Sequence, residues 1–144
     1  MSNNDSDTVK LSGLAFAIND HYLNHLRRMY SQFAGDLEAC IVLGEIAHHN
    51  AKAVFSDMDE KVYARDAVRD SLKPCNAHSI SLSSGIPRET VRRKVKKLEA
   101  AGWVTINSNK QLLISPNVHR EFDEFSQETI RLFHLLISSL RESV

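Results

Sequence analysis

The sequence predicts a mainly α-helical protein with one small β-hairpin and a long amphipathic helix towards each end. Three features of the 144-residue chain carry that expectation. Apolar residues recur three and four positions apart over residues 11–33 and again over 118–142, the period of a helix with one buried stripe. Only 5 glycines and 3 prolines punctuate the chain, so each one is informative about where an element stops. Between Gly102 and Pro116, two short apolar runs flank a polar tetrapeptide, the pattern of a hairpin.

Taken in order, residues 1–10, opening with the polar "MSNNDSD", read as a disordered tail. Leu11, Leu14, Ala15, Ile18, Tyr22, Leu26, Met29 and Phe33 then mark the first helix, which Gly35 stops. Asp36 caps a second helix from Leu37 to about Asn50, and Leu37, Ile41, Val42, Leu43, Ile46 and Ala47 cover so much of its circumference that it should be central. Val62, Tyr63, Ala67, Val68 and Leu72 allow another helix between Asp57 and Pro74. Asn76 suits the cap of a short helix ending at Ser84, with Gly85 supplying a left-handed turn.

Pro87 fits the first turn of the next helix because it has no backbone donor to leave unpaired, and Gly102 ends that helix. Trp103, Val104 and Ile106 pair with Leu112, Leu113 and Ile114 around a four-residue tip, Asn107 to Lys110. After Pro116 and Asn117 one continuous helix is expected from about Val118 to Glu142. Val118, Phe122, Phe125, Thr129, Leu132, Leu136 and Leu140 form its seam, and Ile130, Phe133 and Ile137 form a second apolar strip. Residues 11–144 should make a single domain too small to cover both strips. The surplus predicts a two-fold homodimer built from helices 11–33 and 118–142.

Charge is uneven although the total is zero. Residues 1–60 hold 4 Lys and Arg against 9 Asp and Glu, net −5; residues 61–115 hold 11 against 4, net +7; residues 116–144 hold 3 against 5, net −2. A basic centre between acidic flanks suggests one surface that faces a polyanion. Much of it lies in "GIPRETVRRKVKKLEAAGWV", Gly85 to Val104. There Val91, Val95 and Leu98 share one helical face, and Glu89, Arg92, Arg93 and Lys96 gather opposite. Small Ser81 lets this helix and the preceding one approach, with Ile80 and Ile86 between them.

Other functions find less support. No apolar run approaches the roughly 20 residues of a membrane span, and the start of the chain lacks the basic and apolar regions of a signal peptide, so a cytoplasmic location is expected. Cys40 and Cys75 lie outside any C-x-x-C pattern and read as reduced thiols, Cys40 as core. His21 and His25 stand one turn apart, with Asp20, His48 and His49 as further candidates, but nothing fixes a third metal ligand. No cofactor is expected. "AHHN", Ala47 to Asn50, lies on an apolar helix with no nucleophile or acid partner in view, and no phosphate-cradling loop or nucleophile elbow occurs, which argues against an enzyme. Phe16, Tyr22, Tyr30 and Phe33 read as core, with a small-molecule effector pocket as the alternative.

Helix, glycine turn, helix and hairpin are, in that order, the parts of a winged helix-turn-helix, spanning residues 76–115 with Pro87 to Ala101 as the recognition helix. "RETVRR", Arg88 to Arg93, resembles the recognition helix of the cyclic-AMP receptor protein family, and the longer stretch is similar to its counterparts in the IclR and MarR families. The layout, with terminal helices around a central winged helix, most resembles MarR-type regulators. Lys94 stands where such helices commonly carry an aliphatic residue. The resemblance implies a homodimer on double-stranded DNA, with Arg88 and Arg93 donating to guanine, Glu89 accepting from cytosine, and Thr90, Arg92 and Lys96 on phosphates. Lys97 belongs to the same basic surface. Ser79 and the hairpin-tip residues Asn109 and Lys110 could add backbone contacts.

Overall fold

The computed structural model describes residues 3–57 and 72–143. The helix allowed between Asp57 and Pro74 falls largely outside them. Six helices and one hairpin follow in order among the described residues: α1 (Asn3–Gln32), α2 (Leu37–Asp57), α3 (Ala77–Ser84), α4 (Arg88–Ala100), β1 (Val104–Ile106), β2 (Leu112–Ile114), α5 (Asn117–Glu121) and α6 (Asp123–Ser143). The chain is thus mainly helical with a two-stranded antiparallel sheet, as the patterning predicts. The chain forms two compact units, Met1–Gly35 with Glu121–Val144, and Asp36–Arg120.

Unit 2 packs around α2. Val42 and Ile46 are fully buried together with Ile80 of α3, Val91 and Leu98 of α4, and Val104 of β1. α2 runs to Asp57 rather than ending near Asn50 because Ile46, Asn50 and Val54, spaced four apart, keep one face buried. The carboxylate of Asp36 caps it, accepting from Ala39 N–H at 3.0 Å.

α3 begins with a reciprocal cap: Asn76 Oδ1 accepts from Ser79 N–H and Ser79 Oγ accepts from Asn76 N–H. It ends at Gly85, whose φ of 74° is left-handed and whose N–H donates to Ser81 O at 3.0 Å. Ser81 does more than stay small, because its hydroxyl donates to Ile86 O at 2.7 Å and pins the turn. A Cβ at Gly85 would meet nothing within 4 Å, so Gly85→Ala carries only the backbone strain. It should lower unfolding free energy by about 1 kcal/mol in urea titration. A loss of several kcal/mol would show that more than the turn depends on it.

Pro87 occupies the position just before α4, with φ −54° and ψ 139°, one residue earlier than the first helical turn expected for it. Its carbonyl still accepts the first intrahelical bond, from Val91 N–H. The hairpin pairs Val104 with Ile114 and Ile106 with Leu112. Its turn spans Asn107 to Gln111, one residue more than the tetrapeptide, because Asn107 N–H donates to Gln111 O and Lys110 takes a left-handed φ of 56°.

Asn50 locks the hairpin onto α2. It is fully buried; Nδ2 donates to Lys73 O at 2.8 Å and Leu112 O at 3.1 Å, and Oδ1 accepts from Ile114 N–H at 2.9 Å. One amide therefore satisfies groups on two segments that the helix could not otherwise reach.

Unit 1 is the pair α1 and α6. Contacts of Phe33 with Phe122, Arg28 with Phe125 and Thr129, and His21 with Phe133 run in opposite chain directions, so the helices are antiparallel. Arg28 Nη2 donates to Phe125 O at 2.7 Å and Thr129 Oγ1 at 3.1 Å while the guanidinium lies over the Phe125 ring. Two sequence expectations change here. The tail expected to be disordered is helical from Asn3, since a formed helix extends at small cost. The continuous helix expected over 118–142 breaks at Phe122. Phe122 packs on Phe33 and Phe125, and Asp123 and Glu124 open α6 with the negative charge a helix start favours.

Phe33 is the one large apolar residue of unit 1 that is buried among the described residues. Phe16, Tyr22 and Tyr30, expected in a core or pocket, are exposed, as are Leu11, Leu26, Ile130 and Phe133. At about 100° per residue, Tyr22, Leu26 and Tyr30 of α1 and Ile130 and Phe133 of α6 sit to the same rotational side of the contact seam. In an antiparallel pair that places them on one face.

Candidate nucleic-acid interface

α4 is built with two unlike faces. Val91, Val95 and Leu98 are buried, one turn apart, and hold the helix against α2 and α3. That packing turns Arg88, Glu89, Arg92, Arg93 and Lys96 outward, all of them exposed, with Thr90 at the edge. The sequence-predicted basic face is therefore exposed as a surface with respect to the described residues of its unit.

The basic residues then separate into two groups. Arg88, Arg93 and Lys96 bond to no acidic side chain among the described residues, and Arg92 shares only the exposed Glu89, one turn back. Glu89 is 80% exposed, so this pair is a weak one that a competing anion can exchange. On the flank, Lys94 Nζ donates to Asp36 Oδ1 at 2.8 Å and lies 3.3 Å from Glu38 Oε2, while Lys97 Nζ donates to Asp36 Oδ2 at 2.6 Å. Lys97, grouped by sequence with the outward set, is thus engaged with the start of α2. Lys94, where the resemblance leads one to expect an aliphatic residue, meets the carboxylates of Asp36 and Glu38.

Burial, the largest single influence on Asp36, opposes its ionisation, but hydrogen bonds from Lys94, Lys97 and Ala39 N–H together outweigh it. Its carboxyl is held well below the ordinary value of 3.8. A depressed folded-state value means the stabilisation is complete above that ordinary value and is lost as pH falls below it.

Around α4 the remaining candidates are placed as follows. Ser79 is half-buried and its hydroxyl is committed to the α3 cap, donating to Asn76 O at 2.8 Å. Asn109 and Lys110 are exposed at the hairpin tip, where Asn107 Oδ1 accepts from Asn109 N–H and Gln111 N–H and so fixes the turn. Sequence reasoning missed Asp36, Glu38 and Asn50 as organisers of this surface. The sequence assigns Asp36 the cap alone, and its one signal for Asn50 is a polar residue on the apolar side of α2.

Other clusters do less. His49, a candidate metal ligand on a stretch expected to lack a nucleophile or acid partner, has Ser83 Oγ 3.2 Å from Nε2, and Glu45 Oε2 accepts from the same hydroxyl at 2.6 Å. The serine proton is therefore directed to the carboxylate, and the arrangement ties α3 to α2. His21 and His25 rest against Phe133 and Phe125, and among the described residues no group of three or more His, Cys, Asp or Glu could hold a metal ion. Cys40 is half-buried, and burial pushes its thiol up; burial likewise pushes Cys75 up to about 11. Among the described residues no helix is long and apolar enough to cross a membrane.

Compared with protein-family models, with curated protein sequences and with solved structures, the chain matches none.

Proposed function

We propose that the chain is a cytoplasmic winged helix-turn-helix regulator of transcription, MarR-like in layout, that binds double-stranded DNA sequence-specifically as a homodimer on a roughly palindromic operator. The observation that carries this reading is the outward face of α4: Arg88, Arg93 and Lys96, free of acidic partners among the described residues, beside a capped α3 and a rigid turn. A helix in the major groove presents such side chains near its start to base edges. Arg88 and Arg93 match bidentate guanine contacts, Glu89 matches a cytosine amino group, and Thr90, Arg92 and Lys96 suit phosphates. Asn109 and Lys110 at the hairpin tip suit backbone contacts.

The apolar face shared by α1 and α6 supports the dimer. Leu11, Tyr22, Leu26, Tyr30, Ile130 and Phe133 are each about half exposed or more. An apolar face along two long helices is the kind of surface a standard interface of ~800 Å² per partner buries. Two such pairs would close a four-helix bundle and set half-site centres about one DNA turn, or a multiple of it, apart.

Selection of bound fragments from random duplex DNA tests the reading. A palindromic consensus is expected, with binding that weakens steeply as salt rises. Weak retention without a consensus or a salt slope would favour a winged-helix protein-interaction module instead. With the selected duplex in hand, Arg93→Ala should weaken it by about 1–3 kcal/mol more than it weakens random DNA, whereas Lys96→Ala should weaken both alike. Equal losses from the two variants would remove the base-reading role of Arg93.

A further inference from the structure

The acidic start of α2 touches α4 on the flank of the proposed DNA face, and a helix cap does not require that contact. Asp36 accepts three hydrogen bonds: Ala39 N–H at 3.0 Å for the cap, Lys94 Nζ at 2.8 Å and Lys97 Nζ at 2.6 Å. Its side chain is only 13% exposed, and Lys94 only 15%, enclosed between Asp36 and Glu38. Lys97 is 60% exposed, so it would be free to reach outward were its ammonium not held. Lys94 and Lys97 lie three apart on one side of α4, while Arg88 and Arg92 lie on the other, with Arg93 and Lys96 between.

We infer that Asp36 is a positioning residue for the DNA face: it holds the ammonium groups of Lys94 and Lys97 at the flank of α4 and so withholds two cations from the surface offered to phosphate. This rests on the DNA-binding reading for its consequence, though the withholding itself does not. The physical sense is one of selectivity. A helix bearing every lysine outward would bind any duplex, because phosphate attraction is blind to sequence and grows with each neutralised phosphate. Anchoring two of them at a carboxylate lowers that background and leaves the arginines to read bases in one orientation. Asp36 also follows directly on a left-handed pair, Ala34 with φ 50° and Gly35 with φ 86°. The anchor of α4 is therefore the residue at which the chain enters unit 2.

Asp36→Ser separates the two duties of this residue, since a serine oxygen still caps α2 but offers no charge to the lysines. Two readouts are needed. The first uses no DNA: amine acylation followed by mass spectrometry on the intact protein. In the unaltered protein Lys94 and Lys97 should react at least several-fold more slowly than Lys96, and in Asp36→Ser the Lys97 rate should approach that of Lys96. Equal rates for the three lysines before substitution would overturn the inference, whatever DNA does.

The second compares a duplex selected from a random pool with a random duplex across salt. Asp36→Ser should bind the random duplex more tightly and steepen its salt dependence by about one to two phosphates, roughly 0.9 to 1.8 in log–log slope. The selected-to-random ratio should fall about tenfold. A parallel loss on both duplexes with an unchanged slope would reduce Asp36 to a cap and overturn the inference. If the unaltered protein selects no duplex at all, the DNA-binding reading fails, and the acylation rates alone decide whether Asp36 withholds the lysines. Lys97→Ala combined with Asp36→Ser removes one of the two released cations and should cut the added slope to at most about 0.9, the share of Lys94.

Discussion

Glutamate placed at both Leu26 and Ile130 is expected to leave the chain folded but monomeric, and to lower affinity for a palindromic duplex by roughly 100- to 10,000-fold. Both side chains are about half exposed in the single chain, so charge there costs the isolated fold little. Both lie on the face where α1 and α6 show their unmatched apolar surface, and two-fold symmetry would bring each carboxylate into the interface twice. Four buried carboxylates without partners cannot be accommodated. The large factor comes from losing the linkage between half-sites: a second α4 held at the right spacing binds at an effective concentration a free monomer cannot match. Affinity for a single half-site should change little. Light scattering measures the mass and fluorescence anisotropy the affinity. A doubly substituted protein that remains dimeric would place the interface elsewhere, and an unaltered protein that is monomeric at micromolar concentration would remove the dimer altogether.

Asn50→Asp should destabilise unit 2 by about 2–4 kcal/mol, more than a change of one atom suggests. Asn50 Nδ2 donates to two carbonyls, of Lys73 and Leu112, and Oδ1 accepts from Ile114 N–H. An aspartate keeps the acceptor and loses the donor, turning oxygen towards two carbonyl oxygens inside a fully buried site. It must either carry a desolvated charge or take up a proton to donate once. Asn50→Ala should cost a similar amount by a different route, leaving Ile114 N–H and Lys73 O unsatisfied. Urea titration reads both as a lowered midpoint with little change in slope. If Asn50→Asp shifts stability by less than about 0.5 kcal/mol, the amide does not hold the hairpin on α2.

The two substitutions probe different kinds of information. The exposed strip that motivates the first was visible as a second apolar series at Ile130, Phe133 and Ile137 beside the α6 seam. The sequence marks Asn50 only as a polar residue on the apolar side of α2 and not as the clasp of the hairpin, because its partners there are 62 and 64 residues away at Leu112 and Ile114.

What the sequence determined by itself is whatever residues within a turn or two of one another decide. Spacing of three and four set the buried face of α4 and, with it, the outward side of Arg88, Arg93 and Lys96. Asn76, Gly85 and Gly102 set where α3 and α4 begin and end through their own caps and left-handed turns. Tertiary structure alone decided the break at Phe122, where aromatic packing on Phe33 competes with helix continuation, and the division into two units. It alone also sorted the basic run, sending Lys94 and Lys97 to Asp36 across 58 and 61 residues while Arg93 and Lys96 stayed outward. Periodicity counts only the angle round one helix. A charge between the buried and exposed sides turns to whichever neighbour the packing brings close, and packing is settled by contacts far apart in the chain.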